Sequence, residues 1–383
     1  MKNIREDFNI LKNITYLDSA ALVLKPNVAI EASNDFYLNK SISTRTSDSP
    51  LGVKISTVVD EVRSKIALLV DAKPSEVIYT SGTTDSLNRI ASMLKGFLNP
   101  GDEILLSPYN HSSNFAPWVE IANETGAKVV VDEDLIDTIN EKTKIVAYAQ
   151  INNNFNIKFD VEKLYETAKK HNAILINDAA QAISFEKVSL KKCDVIAFSA
   201  NKMYGPTGLG SLIIKEELLN KLTPSIFGGG AIANIDNNSN VILQCGIKMF
   251  EPGTLNLAGI YMFNASLDYI AKNINYIEVQ KYLSNLSEYA YKKLSEVENI
   301  TIYSNPTDHI IMFNIGQYNS QDIAHYLGQN DVYVRSGIFC AQYLKNIKLN
   351  SSYVRVSLAP YNNESDIDKL VDLLKKGGSF LVF

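Results

Sequence analysis

The chain has 383 residues, of which 46% are hydrophobic and 21% are charged, and its formal net charge is −5 at pH 7. Single hydrophobic cores seldom grow beyond roughly 250–300 residues, so we expect two domains. The composition is typical of a globular protein. The net negative charge excludes a basic surface over the whole chain, so nucleic acid is not expected as a main partner.

Neither a targeting segment nor a structural metal is indicated. The first 20 residues mix acidic and amide side chains with apolar ones, unlike a secretory signal, and no apolar run reaches the ~18 residues of a membrane span. Cys193, Cys245 and Cys340 are far apart, form no CxxC pair and lie in no His/Cys cluster with zinc spacing. This pattern disfavours disulfides and metal, and it predicts a protein of the reducing cytoplasm without membrane association.

From about residue 75, short β-rich segments alternate with amphipathic helical segments. In chain order they are EVIYT, DSLNRIASMLKGFL, DEILLS, NFAPWVEIANETG, AKVVVD, TKIVAYAQ, VEKLYETAKKHN, AILIND, DVIAFS and GSLIIK. This alternation predicts βαβ units, and the almost continuously apolar strands predict a mostly parallel sheet with helices on both faces.

The pattern changes after FEPGTLN to long helical segments, IYMFNASLDYIAKNI and IEVQKYLSNLSEYAYKKLSEV. The strands ITIYS, HIIMFNI and VYVRSG and a last helix, ESDIDKLVDLLKKG, follow. We therefore predict an α/β fold with a large domain, residues 16–264, and a smaller α+β domain, residues 1–15 and 265–383. No Pro/Gly-rich linker marks the boundary between them.

Polar residues follow several of the predicted strands, at the sheet edge where ligands of α/β proteins bind. Gly82, Thr83 and Thr84 lie between a strand and a helix, where free N–H groups and two hydroxyls can hold a phosphate. An ordinary helix N-cap formed by Thr84 or Asp85 explains the same pattern.

Asp178 ends the apolar strand AILIND, and Gln181 follows three residues later. A buried carboxylate requires a cation, a metal or an N–H donor, although an N-cap for the next segment is an alternative.

Lys202 follows the next strand, together with Ser199 and Asn201. A lysine in an apolar pocket can act as a Schiff-base nucleophile. A facing aspartate such as Asp178 is what pyridoxal 5′-phosphate (PLP) needs at its pyridine nitrogen. Taken alone, a lysine at this position is more often a surface residue of the turn that follows.

Together these motifs resemble a known family. The order GTT, HSSN, NN, DAAQ, SxNK, GT and RSGxxC is similar to that of the fold-type I PLP enzymes of aminotransferase class V, and most similar to the group II (Suf/Csd-type, NifS-like) cysteine desulfurases. The resemblance extends from YLDSAALVLKP to RVSLAPYNNESDIDKLV. It implies conversion of L-cysteine to L-alanine with a persulfide on Cys340, and supply of sulfur for Fe–S cluster assembly or other thio-cofactors.

The resemblance also implies roles around the cofactor ring. Lys202 would form the Schiff base with PLP, Asp178 would pair with the pyridine nitrogen, and Gln181 would bind the phenolic oxygen. His111, in YNHSSNFAPW, would stack on the ring and transfer protons. An isolated histidine is more often structural, and the flanking residues make this match specific.

The phosphate is expected at the other end of the cofactor. Its predicted binding residues are Gly82, Thr83, Thr84, Ser199 and Asn201. Thr254, in FEPGTLN, matches a residue that reaches the phosphate of the neighbouring subunit, which implies a homodimer with shared active sites.

For the substrate, the resemblance implies that Arg355 grips the carboxylate. Asn153 would lie near the ring and the carboxylate, with a register uncertain by one within INNNFN. Arg45, in STRTSDS, matches an active-site arginine of the group.

Cys340, in VRSGIFCAQYL, matches the catalytic cysteine, whereas Cys193 and Cys245 are expected to be inert. An acceptor protein or Fe–S scaffold would then collect the sulfur by thiol exchange.

Two positions depart from the group II pattern. Asn201 stands where histidine is common before the lysine, and Ile338 and Phe339 replace the two histidines that commonly precede the cysteine. These departures leave two alternatives open. One is another class V enzyme, such as a selenocysteine lyase or a small-amino-acid aminotransferase or lyase, and the other is a non-catalytic binding or scaffold protein.

Overall fold

The computed structural model describes residues 3–43 and 49–377. The helices are α1 (Asn27–Asn39), α2 (Pro50–Leu69), α3 (Thr83–Leu94), α4 (Ala116–Thr125), α5 (Leu135–Thr138), α6 (Val161–Lys170), α7 (Glu216–Leu219), α8 (Leu257–Asn273), α9 (Tyr276–Leu294), α10 (Ser320–Gln329) and α11 (Glu364–Lys376). The strands are β1 (Thr15–Tyr16), β2 (Val77–Thr80), β3 (Glu103–Leu106), β4 (Lys128–Val131), β5 (Thr143–Ala149), β6 (Ile174–Asp178), β7 (Val195–Ser199), β8 (Gly210–Ile214), β9 (Ile232–Ile235), β10 (Val241–Leu243), β11 (Ile300–Ile302), β12 (Ile310–Ile315), β13 (Val332–Tyr333), β14 (Arg335–Gly337) and β15 (Tyr353–Ser357).

Seven strands form a large sheet in the order β2-β8-β7-β6-β5-β3-β4. The strands from β7 to β4 run parallel, and β8 runs antiparallel to both of its neighbours. The predicted α/β fold with a mostly parallel sheet flanked by helices is confirmed. Because β5, β6 and β7 end at the same edge, the polar residues that follow them meet there.

Both faces of this sheet are buried, which explains its unbroken apolar strands. On β7, Ile196 and Phe198 pack into the core on one face, while Val195 and Ala197 pack into the core on the other. Trp118 of α4 is fully buried in the second core. The sheet is therefore the rigid layer that holds the residues at its edge.

A second sheet is antiparallel, in the order β11-β12-β15-β14, and α9 and α11 pack together with it in a third core. The segment VYVRSG, predicted as one strand, forms two, because the chain leaves the sheet at Val334. Val332–Tyr333 pairs with β1, and Arg335–Gly337 pairs with β15.

The start of the chain joins this second layer. β1 runs parallel to β13, Asp18 bridges to Ser357, and Leu17 is buried in the third core. The division into residues 16–264 and 1–15 plus 265–383 stays a prediction, and α8 runs through its boundary. Over residues 3–43 and 49–377, no helix combines the length and the apolar character needed to cross a membrane.

Candidate active site

A cavity of about 310 Å³ lies at the carboxyl ends of β5, β6 and β7. The segment after β1, the start of α3, the loop after β3, strands β14 and β15 and the loop between them supply the rest of its wall. The structure brings together most of the predicted site residues in this cavity: Thr83, Thr84, His111, Asn153, Asp178, Gln181, Ser199, Asn201, Lys202, Cys340 and Arg355 all line it.

Asp178 and Lys202 lie at the ends of adjacent parallel strands. The backbone N–H of Ala180 donates to Asp178 Oδ1 at 3.0 Å. Burial raises the pKa of the Asp178 carboxyl, against the lowering effects of that hydrogen bond and of the Lys202 charge. Burial lowers the pKa of Lys202 to about 8, against the opposing effect of the Asp178 charge. With this pKa, roughly a tenth of the Lys202 amine is unprotonated at pH 7, far more than for an ordinary lysine, and this form can act as a Schiff-base nucleophile.

His111 is held as a neutral imidazole. Burial lowers its pKa to about 4, and the positive charges of Lys202 and Arg355 add to this shift. The backbone N–H of Ser113 donates to His111 Nδ1 at 3.1 Å, which identifies Nδ1 as the unprotonated nitrogen. The other ring nitrogen carries the proton.

Four of the residues predicted to hold a phosphate, Gly82, Thr83, Thr84 and Ser199, lie at the start of α3. The N–H of Thr83 donates to Ser199 Oγ at 2.7 Å, and the two hydroxyl groups lie 2.9 Å apart. Gly82 has a φ of 154°, and a Cβ on it would lie 3.0 Å from Ser199 Oγ. A Cβ on Gly210 would lie 2.5 Å from Gly82 Cα. The two glycines thus form a backbone cradle at a helix N-terminus.

Gln181 and Asn201 are fixed by the segment that follows β1. Gln181 Nε2 donates to the carbonyl of Ala20 at 2.7 Å. The carbonyl of Asn201 accepts from the N–H of Val23 at 3.2 Å and from Lys25 Nζ at 3.0 Å. These contacts position the backbone immediately before Lys202.

Arg355, on β15, is only 2% exposed and is paired with a buried carboxylate, that of Asp18. Its Nη2 donates to Asp18 Oδ1 at 2.7 Å and its Nη1 donates to the carbonyl of Asn153 at 2.8 Å. Its guanidinium carbon lies 4.7 Å from the centre of the Phe339 ring. Burial lowers the pKa of Arg355, and the Asp18 carboxylate opposes that shift.

Cys340 is exposed and lies in the loop after β14. Backbone carbonyls of this loop accept hydrogen bonds from residues in the segments that follow β3 and β5. Asn153 Nδ2 donates to the carbonyl of Phe339 at 2.7 Å. The N–H and the hydroxyl of Ser112 each donate to the carbonyl of Cys340 at 2.6 Å.

The other predicted residues are placed differently. Gly82 lies behind Thr83 rather than in the cavity wall, and Thr254 is exposed and outside the wall. Arg45 lies outside the described residues. Cys193 is fully buried, and burial raises the pKa of its thiol, whereas Cys245 is exposed.

Sequence reasoning did not identify Asp18, Ser112 or Arg335. Asp18 pairs with Arg355 from 337 residues away, and Arg335 lines the cavity 3.9 Å from Asp18. Both residues belong to segments quoted for the resemblance. The acidic residue in YLDSAA, Asp18, was the signal from which a partner for Arg355 could have been predicted. Ser112 binds the carbonyl of Cys340 through its N–H and its hydroxyl, and a contact between residues 228 apart leaves no signal in the sequence.

The chemistry of these residues fits PLP. The glycine cradle with the hydroxyls of Thr83 and Ser199 suits a phosphate, and a protonated pyridine nitrogen would supply the donor that the buried Asp178 needs. The Lys202 amine, whose pKa is lowered to about 8, can react with the aldehyde group of PLP.

Comparison with known proteins agrees with this chemistry. The aminotransferase class-V family model matches residues 15–370. A probable cysteine desulfurase of Ureaplasma parvum serovar 3 is 34% identical, over 95% of this chain and 94% of that protein.

Two solved structures are similar over nearly their whole lengths. The cysteine desulfurase CsdA of Escherichia coli, in its S-sulfonic acid form, has a TM-score of 0.90 at 29% identity, covering 97% of this chain and 96% of that one. The apo cysteine desulfurase of Thermococcus onnurineus NA1 has a TM-score of 0.93 at 28% identity, covering 98% of both chains. The chain therefore belongs to the aminotransferase class V family of PLP-dependent enzymes, among the cysteine desulfurases.

Proposed function

We propose that this protein is a PLP-dependent cysteine desulfurase of the group II type that converts L-cysteine to L-alanine and leaves a persulfide on Cys340. One observation carries the proposal: Cys340 lines the same cavity as Lys202, Asp178 and Arg355. A thiol, an amine, a carboxylate and a guanidinium thus face one space of about 310 Å³, which suits a small amino acid with a sulfur-containing side chain.

Four residues would hold the ring of the cofactor. When bound, PLP supplies an electron-withdrawing ring that stabilises the charge left when an amino acid loses its Cα proton. Asp178 would bind the pyridine nitrogen and Gln181 the phenolic oxygen. His111 would stack on the ring as a neutral imidazole, and Lys202 would carry the aldehyde carbon.

The substrate would be oriented by its carboxylate and attacked at its sulfur. Arg355 would bind the carboxylate beside Asn153. The Lys202 amine, freed when the substrate amine takes its place on the cofactor, would take the Cα proton. The Cys340 thiolate would then attack the substrate sulfur. An S–S bond forms and the substrate Cβ–S bond breaks, with its electron pair staying on the carbon skeleton. The skeleton takes up one proton at Cβ, regains one at Cα and leaves as alanine.

Thr254 supports a homodimer with shared sites. It is exposed and lies outside the cavity of its own chain, as a residue that serves the phosphate of a neighbouring subunit would. The persulfide would pass to an acceptor or Fe–S scaffold protein in the cytoplasm.

The test is a joint assay of alanine and sulfide from L-cysteine with a thiol reductant. We expect equal amounts of both products from the wild type and no sulfide from Cys340→Ala. Cys245→Ala, which removes an exposed thiol away from the cavity, is the matched control and should behave as wild type. Unchanged sulfide release by Cys340→Ala would show the persulfide mechanism to be wrong. Amino transfer to a keto acid without sulfide would favour an aminotransferase.

A further inference from the structure

The backbone of the cysteine loop is strained. Phe339 and Cys340 both have a φ of 57°, in the left-handed region that non-glycine residues rarely adopt. Two such residues in succession persist only where the surrounding structure holds them, and such strain is common at functional sites. The contacts that hold these two residues therefore determine where the Cys340 thiol lies.

Both strained residues are held by their carbonyl groups. Asn153 binds the carbonyl of Phe339, and Ser112 binds the carbonyl of Cys340 with its N–H and its hydroxyl, each at 2.6 Å. Ser112 immediately follows His111, which lines the cavity. The segment that carries His111 is thus bonded directly to the residue that carries the thiol.

Apolar side chains secure the loop on its other sides. Ile338 packs with Tyr109 and Leu344, and Phe339 packs with Met312 and Tyr353. Neither of these side chains donates a hydrogen bond. The N–H of Ala341 donates to the carbonyl of Ile338 at 3.0 Å and closes the turn, and Ser112 and Asn153 bind that turn to the neighbouring segments.

We propose that Ser112 is a positioning residue, which fixes the Cys340 thiol over the cavity by binding the carbonyl of Cys340. Ser112 is not among the residues that line the cavity, so its role is assigned to positioning and not to proton transfer. The hydroxyl of Ser112 gives the Cys340 carbonyl a second hydrogen bond beside the one from the Ser112 N–H. The consequence for sulfur transfer rests on the proposed desulfurase function, whereas the consequence for loop order does not.

The experiment compares the PLP-loaded forms of wild type, Ser112→Ala, Ser112→Thr and Ser64→Ala. Threonine restores the hydroxyl. Ser64 is the matched control, because it is an exposed serine on α2 whose hydroxyl also donates to a backbone carbonyl. Three quantities are measured: amide hydrogen exchange in the peptide around residues 337–345, the rate of Cys340 alkylation by iodoacetamide followed by mass spectrometry, and sulfide release from L-cysteine.

In Ser112→Ala we expect faster exchange in the loop and sulfide release reduced about tenfold, since small misplacements of reacting groups carry costs of this order. The KM for cysteine should stay within about twofold, because Arg355 is untouched, and alkylation should be as fast as in wild type or faster. Ser112→Thr and Ser64→Ala should match wild type.

Two results would overturn the proposal. One is loop exchange in Ser112→Ala equal to that of wild type. The other is alkylation that falls in proportion to sulfide release, which would mean that the hydroxyl acts on the reactivity of the thiol rather than on its position. If the wild type releases no sulfide while Ser112→Ala still increases loop exchange, the desulfurase function fails and the positioning role stands.

Discussion

Replacing Gly210 by alanine is expected to weaken PLP binding at the phosphate end of the site. Gly210 begins β8 and pairs with Thr80 on one side and Ser199 on the other. A methyl group there would lie 2.5 Å from Gly82 Cα and 2.8 Å from the carbonyl of Phe198. Ordinary contact begins at about 3.4 Å, so the backbone of Gly82 must move by about 1 Å.

The size of the effect on PLP binding depends on the role of the displaced Gly82 backbone. Overpacking of this kind costs about 1–3 kcal/mol. Gly82 is the N-cap of α3, and the next N–H, that of Thr83, belongs to the proposed phosphate cradle. If the strain is expressed in cofactor binding, the dissociation constant for PLP rises roughly 5- to 150-fold.

The assay is titration of the apoprotein with PLP, followed by absorbance, beside thermal unfolding of the apoprotein. Gly328→Ala is the matched control, because its methyl group would point into open space on α10. It should bind PLP as the wild type does. If Gly210→Ala and Gly328→Ala bind PLP equally well, the cradle is not where the cofactor is held.

Three further predictions concern the rest of the cavity. Asp18→Asn leaves Arg355 an acceptor oxygen but no charge, and since charge-assisted bonds exceed neutral ones by about 1 kcal/mol, the KM for L-cysteine should rise about fivefold in steady-state assays. An unchanged KM would show that the pair does not position Arg355. Phe339→Ala removes the ring above Arg355, a contact worth about 0.5–2 kcal/mol, and should raise the same KM several-fold, whereas Phe339→Tyr should not. In the apoprotein, acetylation of Lys202 should rise through a midpoint near pH 8, because the neutral amine prevails above its pKa of about 8. Asp178→Asn should lower that midpoint, since the Asp178 charge raises the pKa of Lys202, and an unmoved midpoint would contradict this coupling.

Much of the fold could be predicted because its signals are local. The apolar strands between residues 77 and 214 are unbroken, since both faces of their sheet are buried, and the amphipathic helices between them show one apolar side. The antiparallel direction of β8 and the split of β13 from β14 were not predictable, because strand pairing depends on partners far away in the chain.

The candidate site shows the same limit. Asp178 ends β6 and Lys202 lies three residues after the end of the adjacent β7, so their meeting follows from the order of the sheet. The partners of Arg355 could not be predicted, because Asp18 approaches it from the other end of the chain. The close approach of Gly210 to Gly82 also arises only once β2 and β8 are paired.

The pairing of the first strand with the last part of the chain has a consequence for the order of assembly. As the protein is synthesised, β5, β6 and β7 can form before the second sheet exists, and the cofactor-binding edge with them. By contrast, β1 and Asp18 have no partner until β13 and β15 emerge. Bringing β1 and Asp18 together with partners more than 300 residues away in the chain is slow. Under the proposed roles, a nascent chain can therefore bind the cofactor before it can bind a substrate. A chain truncated before residue 332 would keep the Asp178–Lys202 edge but lack Arg355, the residue proposed to bind the substrate carboxylate.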